Sequence, residues 1–69
     1  MDTKTLMVGR EVILASGIYS KLGKVVKVTA EGVEVQTLDE LLQFDNAGKG
    51  HDEDGTPECG PYYIQPPQV

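Results

Sequence analysis

The sequence predicts an all-β fold: a small antiparallel barrel, or a strongly bent sheet, of about five short strands. Short segments rich in valine, isoleucine and leucine recur along the chain, and branched side chains suit a pleated strand better than a helix. Turn-forming residues separate these segments at short intervals. Short strands joined mainly by hairpins are typical of an antiparallel barrel.

The first strand is predicted from about Glu11 to Ala15. Leu6 and Val8 precede it, and we expect them either to pack across the barrel mouth or to form a short lead-in strand. A loop or bulge is predicted from Ser16 to Leu22, because a glycine lies beside each end of this segment and glycine allows sharp bends.

A hairpin is predicted next, between strands at residues 25–29 and 33–37. Residues 30–32 connect the strands, and the glycine at the end of this connection is expected in the left-handed conformation. Valine alternates with polar residues on both strands, which predicts one buried face and one wet face. Val25 is out of phase with this alternation, and a bulge just after Gly23 would explain the shift.

The segment at residues 38–44 fits two structures. Its three leucines have helical spacing, but seven residues make a marginal helix in water. Its last residues alternate between apolar and polar, as in a strand. We therefore prefer a turn at residues 38–40 followed by a strand at residues 41–44.

A long acidic loop is predicted from Asp45 to Gly60, because the segment holds four of the eight glycines among acidic and turn-forming residues. A last short strand is predicted at residues 62–64. Alternation there should turn one of Tyr62 and Tyr63 inward and the other outward.

The predicted core comprises Val12, Leu14, Val26, Val28, Val33, Val35, Leu42 and Phe44.

An apolar strand, a glycine, a short basic loop and a second apolar strand follow one another in residues 12–28. This order resembles the KOW motif of several ribosomal proteins and transcription elongation factors, and the matching positions are Val12, Leu14, Gly17, Lys21, Gly23, Lys24, Val25 and Val28. Ser20 departs from the pattern, since the family commonly has another glycine there. The resemblance covers about a quarter of the chain. It implies a small SH3-like barrel that contacts RNA or a protein, as in ribonucleoprotein or transcription complexes.

The length of the chain allows one small domain, residues 1–69. No apolar run approaches the roughly 20 residues that span a bilayer, and the N-terminus lacks the features of a signal peptide. A single cysteine, Cys59, cannot form an intramolecular disulfide. We therefore expect one SH3-like, KOW-like barrel domain that is cytoplasmic, does not bind membranes and is stabilised by its core.

Charge is unevenly distributed along the chain. Residues 1–30 carry a net charge of +3 and residues 31–69 carry −8, which gives −5 in total. A basic face can attract phosphate, but the acidic half opposes the non-specific attraction that supplies most nucleic-acid affinity. The balance favours a protein partner over RNA.

Residues 18–27, which include the predicted bend before the second apolar strand, combine lysines with an aromatic side chain. In an RNA-binding protein the lysines would contact phosphates while Tyr19 stacked on a base. Otherwise they form a charged outer face, with Tyr19 covering the barrel end. The predicted partner-binding residues are Ile18, Tyr19, Lys21, Lys24 and Lys27. The leading hypothesis is a non-enzymatic module that binds a protein, and direct RNA binding through the hairpin from Lys21 to Lys27 is an alternative.

A metal-binding acidic loop is the other alternative. Its potential ligands are His51, Asp52, Glu53, Asp54, Glu58 and Cys59. They lack the alternating spacing of an EF-hand loop, and one histidine with one cysteine falls short of a tetrahedral zinc site without carboxylates. Cys59 has no basic neighbour in the sequence to activate it as a nucleophile. We therefore expect a solvated loop, with no metal, no cofactor and no enzymatic activity.

Overall fold

The structure is a computed structural model and describes residues 7–51 and 54–65. Its strands are β1 (Glu11–Ser16), β2 (Tyr19–Thr29), β3 (Gly32–Gln36), β4 (Leu41–Asp45) and β5 (Tyr63–Gln65). They form one antiparallel sheet, in the order β4-β3-β2-β1-β5, that curls into a half-barrel. The predicted all-β class is confirmed, and the fold is consistent with a small SH3-like barrel. No helix among the described residues is long and apolar enough to cross a membrane.

β1 and β2 form a tight hairpin with only Gly17 and Ile18 in its turn. Gly17 has a φ of 62°, and a Cβ there would overlap the side chain of Cys59. The predicted loop or bulge at residues 16–22 is wrong. Residues 19–22 instead pair with β1 in continuous register, because this pairing gives their β1-facing backbone groups hydrogen-bond partners.

β2 and β3 form the predicted second hairpin, in which Thr29 pairs with Gly32 across a turn at residues 30–31. The φ of Gly32 is 156°, which is positive but far from the compact left-handed conformation predicted for it. A Cβ at this position would overlap the carbonyl oxygen of Phe44 on β4. Glycine is required here because two backbones approach closely.

The bulge of β2 lies after Val25, and not after Gly23 as predicted. Val26 is the extra residue, inserted in the ladder between Val25 and Lys27. Gly23 keeps its regular pairing with β1. A Cβ on Gly23 would overlap the side chain of Val35, so the missing side chain leaves room for the core at this point.

The core prediction is therefore wrong for two valines. Val26 is 42% exposed, because it follows inward-facing Val25 and is the extra residue of the bulge. Val28 pairs with buried Val33 and so shares its face, but it is 37% exposed near the end of the hairpin. Val25 is fully buried and takes the inward position on β2.

The core otherwise follows the predicted alternation. In the described part of the chain, its nine buried apolar side chains are Val12, Leu14, Val25, Val33, Val35, Leu42, Phe44, Tyr62 and Ile64. Six of the eight predicted core residues are confirmed in this set. Tyr62 is buried and Tyr63 is exposed, which confirms the predicted alternation of the two tyrosines. The predicted turn at residues 38–40 and the strand after it are also confirmed.

Residues 48–50, here called the closing segment, link the two edge strands of the sheet. The N–H of Asp45 in β4 donates to the carbonyl of Lys49 at 2.9 Å, and the N–H of Ile64 in β5 donates to the carbonyl of Gly48 at 2.8 Å. The Asp45 carboxylate also accepts the N–H of Lys49 at 2.9 Å. The predicted acidic loop therefore contains a short backbone connection that closes the barrel.

A buried hydroxyl ties the later part of the acidic loop to β1. The side chain of Ser16 is fully buried and donates to the carbonyl of Gly60 at 2.8 Å. It also accepts the N–H of Thr56 at 3.4 Å. These bonds hold the turn before β5 against the end of β1.

Val8 neither packs across the barrel mouth nor forms a lead-in strand, the two structures predicted for it. Val8 lies in a turn and is exposed, while Leu6 lies outside the described residues. The backbone N–H of Gly9 nevertheless donates to the carbonyl of Val25 at 2.7 Å, so the chain enters β1 alongside β2.

Candidate functional site

β2 carries its three lysines on two different faces. Lys21 pairs with a buried residue of β1 and so lies on the core-facing side, at one end of the barrel. Lys24 pairs with Glu11 and Lys27 pairs with Glu34, both on the opposite face. The alternation of the strand therefore separates Lys21 from the other two lysines.

Lys21 is already engaged within the protein. Its Nζ lies 2.8 Å from Oε1 of Glu40 and 4.8 Å from the centre of the Tyr62 ring. Burial acts to lower the pKa of the ammonium, but the hydrogen bond and charge of Glu40, with Tyr62 and Asp39, outweigh it and raise the pKa of Lys21. This ammonium is a poor candidate for contact with an incoming phosphate.

Ile18 and Tyr19 lie at the other end of β2 from Lys27. Ile18 is 91% exposed in the β1–β2 turn, and Tyr19 is half exposed beside it. Lys27 is eight residues further along β2, which at about 3.3 Å per residue is roughly 26 Å of strand. The structure does not bring the five predicted partner-binding residues together on one surface.

A groove of about 690 Å³ lies between β2 and the β3–β4 turn. It is lined by Glu11, Lys21, Leu22, Gly23, Lys24, Gln36, Thr37, Leu38 and Asp39. Leu22 is 68% exposed, and Leu38 is fully exposed. Two exposed leucines in one concave surface are typical of a contact site, whereas single exposed apolar residues are ordinary.

The turn that carries Leu38 is held in place by hydrogen bonds. The N–H of Thr37 donates to the carbonyl of Glu40 at 2.8 Å, and the N–H of Glu40 donates to Oγ1 of Thr37 at 3.1 Å. The side-chain amide of Gln36 donates to the same carbonyl at 2.9 Å. The exposure of Leu38 is thus a property of an organised turn.

Neither leucine is a contact residue in the prediction from sequence, which places Leu22 in a loop and Leu38 in a turn or a short helix. A usable signal was present, because each is a single large apolar residue in a polar neighbourhood, Ser20 to Lys24 and Thr37 to Glu40. That both leucines face solvent and line the same groove depends on pairing between strands, which the local pattern does not reveal.

A second cavity, of about 460 Å³, lies between the β2–β3 hairpin and the closing segment. Its lining mixes charges such as Lys27, Asp45 and Lys49, and its large apolar members, Val33 and Phe44, belong to the buried core. It offers no exposed large apolar side chain. The first groove is therefore the better candidate for a contact site.

The potential metal ligands of the acidic loop are only partly described. The N–H of His51 donates to Oδ2 of Asp54 at 2.9 Å, and the thiol of Cys59 is free and partly buried. Within residues 7–51 and 54–65, no three His, Cys, Asp or Glu side chains are grouped so as to hold a metal ion. Asp52 and Glu53 lie outside the described residues.

Comparison with known proteins identifies no relative. No protein-family model, no curated protein and no solved structure matches this chain. The resemblance of residues 12–28 to the KOW motif stays a prediction, and the surface itself is the basis on which function can be inferred.

Proposed function

We propose that the chain is a non-enzymatic interaction module that binds a protein partner through the groove between β2 and the β3–β4 turn. The observation that supports this proposal best is the full exposure of Leu38 on a hydrogen-bonded turn, beside exposed Leu22. Covering a leucine side chain contributes about 1.5–3 kcal/mol. Because a few well-packed apolar anchors dominate most interfaces, two leucines in a groove provide a suitable centre for one.

The arrangement of charge supports a protein partner over RNA. Among the described residues, acidic side chains lie beside two of the three lysines of β2. Glu34 is paired with Lys27, and Glu40 is bonded to Lys21. Such mixing weakens the continuous positive field on which RNA binding depends. Lys24 and Lys27 form no ion pair among the described residues, and this keeps RNA as the second candidate.

A matched pair of variants of exposed apolar residues tests the proposal. Leu38→Ser changes the groove, while Ile18→Ser changes the β1–β2 turn outside it. Neither side chain is buried, so both variants should keep the wild-type melting temperature within error. A photo-reactive side chain at position 38 would capture the partner from cells that contain this protein, and mass spectrometry would identify it.

Binding of the purified partner would then be measured at about 50 and 200 mM salt. We expect Leu38→Ser to weaken binding about tenfold or more, Ile18→Ser to leave it unchanged, and salt to have a small effect. Loss of binding in Ile18→Ser alone would place the site at the β1–β2 turn. Capture of RNA, with affinity that falls steeply as salt rises, would contradict the protein-binding proposal.

A further inference from the structure

We propose that the partner binds as an extended strand that adds to an open edge of β2 at Ser20 and Leu22. This inference rests on the proposed function, and it specifies the form that the partner takes in the groove. Its basis is the pairing of β2, which has neighbours on both sides along only part of its length.

β2 pairs with β1 through Tyr19 to Lys24, and its pairing with β3 runs from Lys24 to Thr29. β3 ends at Gln36, opposite Lys24. Among the described residues, residues 19–23 of β2 therefore have β1 on one side and no strand on the other. The groove borders this open side, because Leu22, Gly23 and Lys24 line it together with residues 36–39, and it also reaches Glu11 on β1.

The direction of the backbone groups along this edge follows from Val25. Its N–H donates to the carbonyl of Arg10 at 2.9 Å, and its carbonyl accepts the N–H of Gly9 at 2.7 Å, so Val25 bonds toward the β1 side. Backbone groups alternate in direction along a strand of an antiparallel pair, and the register from Tyr19 to Lys24 is continuous. The N–H and carbonyl groups of Ser20 and Leu22 therefore point away from β1, toward the open side, and Leu22 also lines the groove.

No backbone hydrogen bond from another described residue reaches Ser20 or Leu22 on this side. Both residues are exposed. An open strand edge is a template for one more strand, and peptides bind many sheets by adding to such an edge. The edge has two outward-bonding residues, so main-chain pairing is short and side-chain contacts must supply the rest of the affinity.

The side chains of the groove indicate the chemistry of the added segment. Leu22 and Leu38 provide an apolar surface for one large apolar residue. Lys24 lies two residues beyond Leu22 on the same face and has no ion pair among the described residues, whereas Lys21 is already bonded to Glu40. A carboxylate two residues from the apolar anchor, on the same face of the added strand, complements Lys24.

The test uses seven-residue peptides with blocked ends, in which leucine, valine or phenylalanine lies two positions from glutamate. Binding to the full chain is followed by NMR, and the best peptide is remade with N-methyl groups on alternate amides. We expect the amide protons of Ser20 and Leu22 to shift and to exchange more slowly in the complex. We expect N-methylation on the pairing edge to weaken binding at least tenfold, and methylation on the other edge to have little effect.

Variants separate the side-chain contacts from the main-chain pairing. Leu38→Ser should weaken the peptide about tenfold, Ile18→Ser should not, and Lys24→Glu should reverse the preference from glutamate to lysine in the peptide. All three positions are exposed, so each variant should be as stable as the wild type. A melting curve checks this.

Three results would overturn the inference. If no peptide in the set binds, or if a peptide binds without protecting the amides of Ser20 and Leu22, strand addition is wrong. In either case, a partner protein whose binding depends on Leu38 would still support the proposed function. If those amides are protected without peptide and the protein sediments as a dimer, a second copy occupies the edge. Loss of Leu38 dependence with every protein partner would instead reject the proposed function.

Discussion

Val25 and Val26 show how closely the environment of a side chain depends on strand register. The two residues are identical and adjacent, yet Val25 is fully buried and Val26 is 42% exposed. Strand alternation turns Val25 inward and Val26 outward, and the bulge then shifts the phase by one residue, so that Lys27 pairs with Glu34 and Val28 with Val33. Val25 packs in the core and Val26 does not.

We predict that Val25→Ala lowers the free energy of unfolding by about 2 kcal/mol, because a buried side chain is truncated and a cavity remains. Val26→Ala, the matched control, should change it by less than about 0.5 kcal/mol. Chemical denaturation of the three proteins measures both values. Equal effects, or a larger effect at Val26, would contradict the position of the bulge.

The acidic loop is better organised than its composition suggests. Its beginning forms the closing segment, and its end is bonded to Ser16 in β1. A buried hydroxyl is costly unless it has a hydrogen-bond partner, and Ser16 has its partners in Gly60 and Thr56. The loop is therefore attached to the sheet at two places.

We predict that Ser16→Ala destabilises the domain by about 1–3 kcal/mol, because the Gly60 carbonyl loses its donor in a partly buried site. The amide of Thr56 should exchange with solvent faster in this variant, since it loses its acceptor. Ser20→Ala, at an exposed position on the next strand, is the control and should be neutral. Unchanged exchange at Thr56 would show that the hydroxyl does not hold the loop.

At the scale of the molecule, barrel closure combines parts that are distant in sequence. β4 and β5 are the two edges of the sheet, and residues 48–50 lie between them and bond to both. This arrangement covers parts of two strand edges that would otherwise be open to pairing. Within residues 7–51 and 54–65, no strand covers the edge of β2 at residues 19–23, which borders the groove.

We predict that Asp45→Ala loosens the closure, because the Asp45 carboxylate accepts the N–H of both Ala47 and Lys49 at 2.9 Å. The amide of Ile64, which lies on β5 and donates to the carbonyl of Gly48, should then exchange faster with solvent. Its hydrogen bond is to the closing segment and not to the Asp45 side chain. Gln43→Ala, at an exposed position on the same strand, should leave that amide unchanged. Equal protection of Ile64 in all three proteins would show that the closing segment does not depend on Asp45.

Local pattern was sufficient for much of this fold. Alternation and turn residues predicted the all-β class, the second hairpin and β4. It also predicted six core residues and the opposite orientations of Tyr62 and Tyr63. These features depend on a few neighbouring residues, because the side-chain period of a strand and the conformational freedom of glycine operate over a span of two to four residues.

The tertiary structure decided which strand residue lies opposite which. The place of the bulge, the separation of Lys21 from Lys24, the mixing of acidic and basic residues, and the groove beside Leu38 all follow from register between strands. Register is a long-range property, and a shift of one residue moves a side chain to the other face. The sequence by itself therefore determined that this chain forms a small β-domain, while the surface available to a partner was decided by how its strands pair.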